Sequence, residues 1–189
     1  IDVVDLTNKL PINNLPDMEK VKGITIHCLP EYFTYEETTA YTNSGLTIAN
    51  KLSEKTGYHY VIDANSVYQY VPDKKQIPHV IDGKPTFISK ALYDGKPNEQ
   101  SIAILIVIPK LQQYEEIERK AIKFIAKYLV SHELTVDNIM RGFDLNKLPT
   151  PLHLLEQIKW RKLILRIKDA YTAMKAEGYN EEEADKVIE

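Results

Sequence analysis

The chain of 189 residues is short of several things, and each shortage removes a class of protein. It has one cysteine, Cys28. A single thiol closes no intrachain disulfide and excludes a structural zinc cluster built on cysteines. No apolar run approaches the roughly 18–20 residues that span a bilayer. No basic stretch followed by an apolar one opens this piece as an export signal would, which says little about where the parent protein works. Cationic residues do not outnumber acidic ones, and the formal net charge of -3 argues against the basic face of a general nucleic-acid binder. A Gly-rich phosphate loop, a Gly-x-Ser-x-Gly elbow and a Cys-His nucleophile pair are all missing. The first residue is Ile1 rather than Met, so the chain reads as an excised domain or a processed product.

What remains is ordinary globular material, 43% hydrophobic and 27% charged, long enough for one domain with a proper core. Residues 1–21 hold two prolines and no periodic pattern, which predicts an extended arm. Lys22 to Cys28 is apolar and β-branched, a buried strand that delivers His27 and ends at Pro30. Adjacent strand residues point to opposite faces, so if His27 faces a cleft, Cys28 faces the core. Residues 34–55 read as a helix broken at Asn43-Ser-Gly45. Tyr58 to Asp63 and Val67 to Val71 form a hairpin. Alternation places Tyr58 and Tyr60 on one face and His59 on the other. Residues 72–100 read as a long surface excursion containing Ile77-Pro-His79.

The segment from Ser101 to Ile108 is continuously hydrophobic, as in a central strand covered on both sides. Tyr114 to His132 is an amphipathic helix with Ile117, Ala121, Phe124, Ile125, Tyr128 and Leu129 on its inner face. A short helical turn over 137–140 and a loop over 141–151 follow. A long terminal helix starts at Pro151, with Leu155, Ile158, Trp160, Leu163, Ile167 and Tyr171 inward. Gly178 stops it, leaving an acidic tail, 178–189. Strands interleaved with helices predict an α/β domain over 22–177, a single mixed central sheet flanked by helices.

Five of these segments, in this order, resemble the zinc-dependent N-acetylmuramoyl-L-alanine amidases, which share their fold with T7-type lysozyme and the peptidoglycan recognition proteins. They are Ile24 to Cys28, Tyr58 to Gln69, Ile77 to His79, Asn98 to Ile104, and Arg141-Gly-Phe-Asp144 through Pro149-Thr-Pro151 to Trp160. The resemblance implies cleavage of the amide between the lactyl group of N-acetylmuramic acid and L-alanine of the stem peptide. It implies a zinc on two histidines and a cysteine or aspartate, with an open position for water or the scissile carbonyl.

Carried onto this chain, the ligand set is incomplete. His27 matches the first ligand, the second falls at Gly142, and the third at Thr150. A neutral hydroxyl is a poor zinc ligand beside thiolate, imidazole or carboxylate. A lysine of the family falls at Leu148, with Lys147 adjacent, and a glutamate used by many members falls at Leu105. Members that lack this glutamate use a tyrosine at the position of Tyr58, which makes Tyr58 the catalytic candidate. Tyr58 and His79 match residues lining the substrate cleft, and His27 belongs to the same cleft. Asp144 and His153 are the substitutes that a relocated zinc site would use.

The expected function is therefore an amidase-fold domain with a decayed site and no cofactor. Such a domain recognises peptidoglycan fragments (muropeptides) or serves as a structural module of a phage or cell-wall protein, at the cell wall or in a virion. The alternatives are an active amidase with zinc on His27, Asp144 and His153, and a protein–protein docking domain.

Overall fold

The computed structural model describes residues 3–8, 12–29, 57–80, 85–108, 111–146 and 154–177. The helix expected over 34–55, the positions Thr150 and His153, and the tail 178–189 lie outside these residues. Among the described residues six strands make one sheet. They are β1 (Val3–Asp5), β2 (Gly23–Leu29), β3 (Tyr60–Ile62), β4 (Val67–Gln69), β5 (Ser101–Val107) and β6 (Ile139–Arg141). The helices are α1 (Phe87–Tyr93), α2 (Tyr114–Ser131), α3 (Gly142–Asn146) and α4 (Gln157–Glu177).

Across the sheet the order is β1-β4-β3-β5-β2-β6. The β3–β4 hairpin pairs antiparallel and the other neighbours pair parallel, so the sheet is mixed. The continuous apolar run of β5 is buried at every residue, as a strand covered on both faces must be. Beside it runs β2, whose alternate residues Ile24, Ile26 and Cys28 pack with Ile102, Ile104 and Ile106 beneath α2 and α4. All six inner-face residues expected on α2 are buried. Leu105, Val107, Val61 and Tyr68 form a second, smaller cluster.

Several short elements depart from the expectations. The supposed arm contributes β1, which extends the sheet edge beside β4, and Gln76 N–H donates to the Pro16 carbonyl at 2.8 Å. The excursion over 72–100 contains α1, where Thr86 caps the helix by accepting from Ser89 N–H. Its exposed side carries Phe87, Ile88 and Leu92 while Ser89 and Tyr93 are buried, an inverted pattern that hides a helix from a search for apolar periodicity. The turn over 137–140 is a 3-10 turn (Val136–Asn138) feeding β6, and α3 replaces the start of the expected loop.

On α4, Ile158 points to solvent (79% exposed), and the buried stripe runs through Trp160, Leu163, Ile167, Ala170 and Met174. The expected alternation of Tyr58, His59 and Tyr60 also fails. His59 carbonyl accepts from both Tyr70 N–H (2.8 Å) and Val71 N–H (3.3 Å), two residues against one, as in a bulge. Across that irregularity Tyr60 packs against Phe124 of α2, while Tyr58 packs on the other cluster.

Candidate functional site

The candidate site is built on the side of β2 that faces away from α2 and α4. Strand alternation sends Thr25 and His27 there and Cys28 into the helix-covered core. Burial pushes the Cys28 thiol above its ordinary range, so the sulfur stays protonated in this position. The His27 side chain is buried (4% exposed). Its Nε2 lies 3.1 Å from His79 Nδ1, and the edge of the Tyr58 ring packs on it with centroids 5.2 Å apart. Tyr58 and His27, expected together in the cleft, are thus in contact.

His79 lies deeper than a cleft wall would. It is 7% exposed, and its second nitrogen, Nε2, lies 3.3 Å from the Ser101 carbonyl. Both ring nitrogens are therefore occupied by the protein. Beneath it, Ser101 Oγ donates to the Pro97 carbonyl at 2.7 Å and lies 3.0 Å from Thr25 Oγ1. The backbone around His79 is clamped by Asn98, whose Oδ1 accepts from His79 and Val80 N–H and whose Nδ2 donates to the Val80 carbonyl. Sequence reasoning gave Asn98 and Ser101 no role. Their only signal was their place in a stretch shared with the family.

A third imidazole completes the cluster. His59 Nδ1 accepts from Ala103 N–H at 2.9 Å and its Nε2 donates to the Lys75 carbonyl at 2.8 Å. Its ring centroid is 6.4 Å from that of His79. Desolvation lowers the pKa of His27 and of His59 to about 4. The pKa of His79 is also lowered well below the ordinary value, by burial first and then by its two imidazole neighbours. All three rings are neutral at pH 7.

The neighbours of His27 in the sheet settle what chemistry surrounds it. In the strand register His27 stands beside Leu105 of β5. On its other side Ile26 pairs with Arg141, so Gly142, the next residue, follows on the His27 flank. The two positions flanking His27 thus carry an alkyl side chain and none.

The position of Asp144 is set by a different partner. Its Oδ1 accepts from Arg141 Nη2 at 2.7 Å, and its Oδ2 accepts from Nε at 3.0 Å and from the Arg141 backbone N–H at 2.9 Å. Arg141 also donates to the Leu154 and Leu155 carbonyls and lies against the Phe143 and Trp160 rings. This buried ion pair ties β6 and α3 to the start of α4. Metal ligation by Asp144 would have to break it.

Among the described residues no three His, Cys, Asp or Glu side chains converge as a metal site. The donors among the described residues therefore do not fit a three-ligand zinc. No helix among the described residues is long and apolar enough to cross a membrane.

The chain is 26% identical over 160 residues to the N-acetylmuramoyl-L-alanine amidase CwlA of Bacillus subtilis, a match covering 84% of the chain and 52% of that protein. The chain thus spans about half the length of this curated relative. Its fold is that of a mutant endolysin from Bacillus subtilis, with a TM-score of 0.69 at 20% identity, over 88% of this chain and 99% of that one. The catalytic domain of XlyA is similarly placed, with a TM-score of 0.68 at 18% identity, over 87% and 98%. Residues 17–151 match the family model described as N-acetylmuramoyl-L-alanine amidase, and the chain belongs to that family.

Proposed function

We propose that this domain is a peptidoglycan-recognition module whose hydrolytic site has decayed, carried by a phage or cell-wall protein that acts at the cell wall. The observation that supports this reading most strongly is the pair of residues beside His27. Leu105 and Gly142 stand where the family places a glutamate and a histidine, and neither can hold a metal or move a proton. A single imidazole binds zinc weakly, because affinity depends on several ligands acting together. A relocated site on His27, Asp144 and His153 would cost the Arg141–Asp144 pair, and nothing in the site favours it.

Recognition asks less of the residues than hydrolysis does. Tyr58, half-buried against His27, offers an aromatic surface of the kind that packs on a sugar ring or a stem-peptide side chain. The binding partner is a muropeptide on this reading, and a protein neighbour in the wall or virion if the domain serves docking instead.

Purified peptidoglycan sacculi incubated with the protein test the proposal. The expected outcome is co-sedimentation that a chelator does not abolish, with no stem peptides released. Tyr58→Ala should weaken binding about tenfold, corresponding to ~1.4 kcal/mol, without unfolding the domain. Release of stem peptides that stops on chelation would establish an active amidase. Failure to bind sacculi would leave the docking role.

A further inference from the structure

We infer that His79 is a positioning residue that holds His27 as a single tautomer, with the proton on Nε2 and the lone pair on Nδ1. The assignment follows from counting donors and acceptors along one buried chain. Ser101 Oγ spends its proton on the Pro97 carbonyl at 2.7 Å. Thr25 Oγ1 must then donate to Ser101 Oγ at 3.0 Å. His79 Nε2 faces the Ser101 carbonyl at 3.3 Å and Ser101 Oγ at 3.4 Å. A carbonyl only accepts, so His79 Nε2 carries a proton and donates to it. In a neutral imidazole the other nitrogen then has a lone pair. His79 Nδ1 is therefore the acceptor of the 3.1 Å contact, and His27 Nε2 is the donor.

The opposite arrangement fails on the same count. With the proton on His79 Nδ1, the bare Nε2 would face the lone pairs of the Ser101 carbonyl, and Ser101 Oγ has no second proton to offer. A buried acceptor facing an acceptor is unfavourable by the full desolvation of both groups. The framework is built to hold this geometry: Asn98 fixes the backbone of His79 and Val80 through three hydrogen bonds. The end of the excursion, Pro97 to Gln100, and the first residue of β5, Ser101, thus act on His27 through His79. Tyr58 presses on the same ring from its edge. A His27 ring so held accepts a hydrogen bond at Nδ1 from an amide N–H or a hydroxyl, and has no proton to give there. This inference stands on the hydrogen-bond chain together with the neutrality of the buried His79 ring.

Nitrogen-15 long-range correlation spectra of the histidine side chains at neutral pH test it. The wild-type protein should show His27 with a protonated-type Nε2 and an unprotonated-type Nδ1. His79→Ala should lose that preference and give exchange-averaged shifts for both nitrogens. His79→Asn, whose Oδ1 can accept where Nδ1 stood, should restore the wild-type pattern, which a merely space-filling role for His79 would not require. A wild-type His27 protonated on Nδ1 would overturn the assignment. So would an unchanged His27 tautomer in His79→Ala with the backbone spectrum of the folded domain intact.

Discussion

On β2, Ile24, Ile26 and Cys28 meet α2 and α4, while Thr25 and His27, their immediate neighbours in sequence, look the other way. The two sides of this one strand are equally buried and are stabilised differently. The helix side is close-packed hydrocarbon whose free energy comes from area removed from water. The other side is a row of buried polar groups, and each is tolerable there because another satisfies it. Thr25, Ser101, His79 and His27 form one chain of hydrogen bonds, and His59 is held between the Ala103 N–H and the Lys75 carbonyl. The lesson is about replaceability. A hydrocarbon contact can be exchanged for another of similar volume, whereas a buried polar chain depends on every member's donors and acceptors. On the proposed reading, a glycine at position 142 in place of a metal-binding histidine need not unravel this side, because the chain beneath His27 is complete without it.

The largest effect expected of a single substitution comes from the ionic exception at the helix-covered core. Arg141 and Asp144 are both buried and bind through two paired contacts. Arg141→Ala leaves a buried carboxylate without a partner and is expected to reduce stability by about 3–5 kcal/mol. Urea denaturation measures it. A loss of only about 1 kcal/mol would show that the polar knot is as replaceable as the hydrocarbon around it.

Acid should separate the two sides next. His27 and His59 have folded pKa values of about 4 against an ordinary 6.5, and burial is the leading cause in both. Between those values the unfolded chain takes up protons that the folded one refuses, so folding weakens as pH falls from 6.5 to about 4. Stability is fully present above pH 6.5, and the slope reaches about 1.4 kcal/mol per pH unit for each histidine. Urea midpoints measured over this range should fall accordingly, and His59→Gln should make the fall shallower. An unchanged slope in that variant would assign the acid sensitivity to other groups.

A smaller effect is expected at the far end of the hydrogen-bond chain. Thr25→Val removes the donor to Ser101 Oγ but leaves Ser101 bonded to the Pro97 carbonyl. The cost should be about 0.5–1.5 kcal/mol, read from the same denaturation curves, with His27 still in its original tautomer.

The helix-covered side was the legible one. The run from Ser101 to Ile108, the inner face of α2 and the alternation in β2 are long enough for periodicity to show, and they lie where the residues predict. The three-residue strands β1 and β6 are too short to carry a period, and their place depends on the neighbours they pair with. α1 was hidden because its exposed side is the apolar one. The break at His59 was invisible for a related reason: a bulge shifts the phase of alternation without changing composition. The site itself was half legible. His27 and Tyr58 were expected together and touch, but His79, expected in the cleft wall, lies beneath His27 with both nitrogens engaged. No pattern in sequence spacing announces that Asn98 and Ser101 hold it there.

Zinc content tests the central reading most directly. The purified protein, equilibrated with zinc and then desalted, should retain far less than one equivalent by metal analysis, and His27→Ala should retain the same. Near one equivalent in the wild-type protein, lost in His27→Ala, would contradict a decayed site at Leu105 and Gly142.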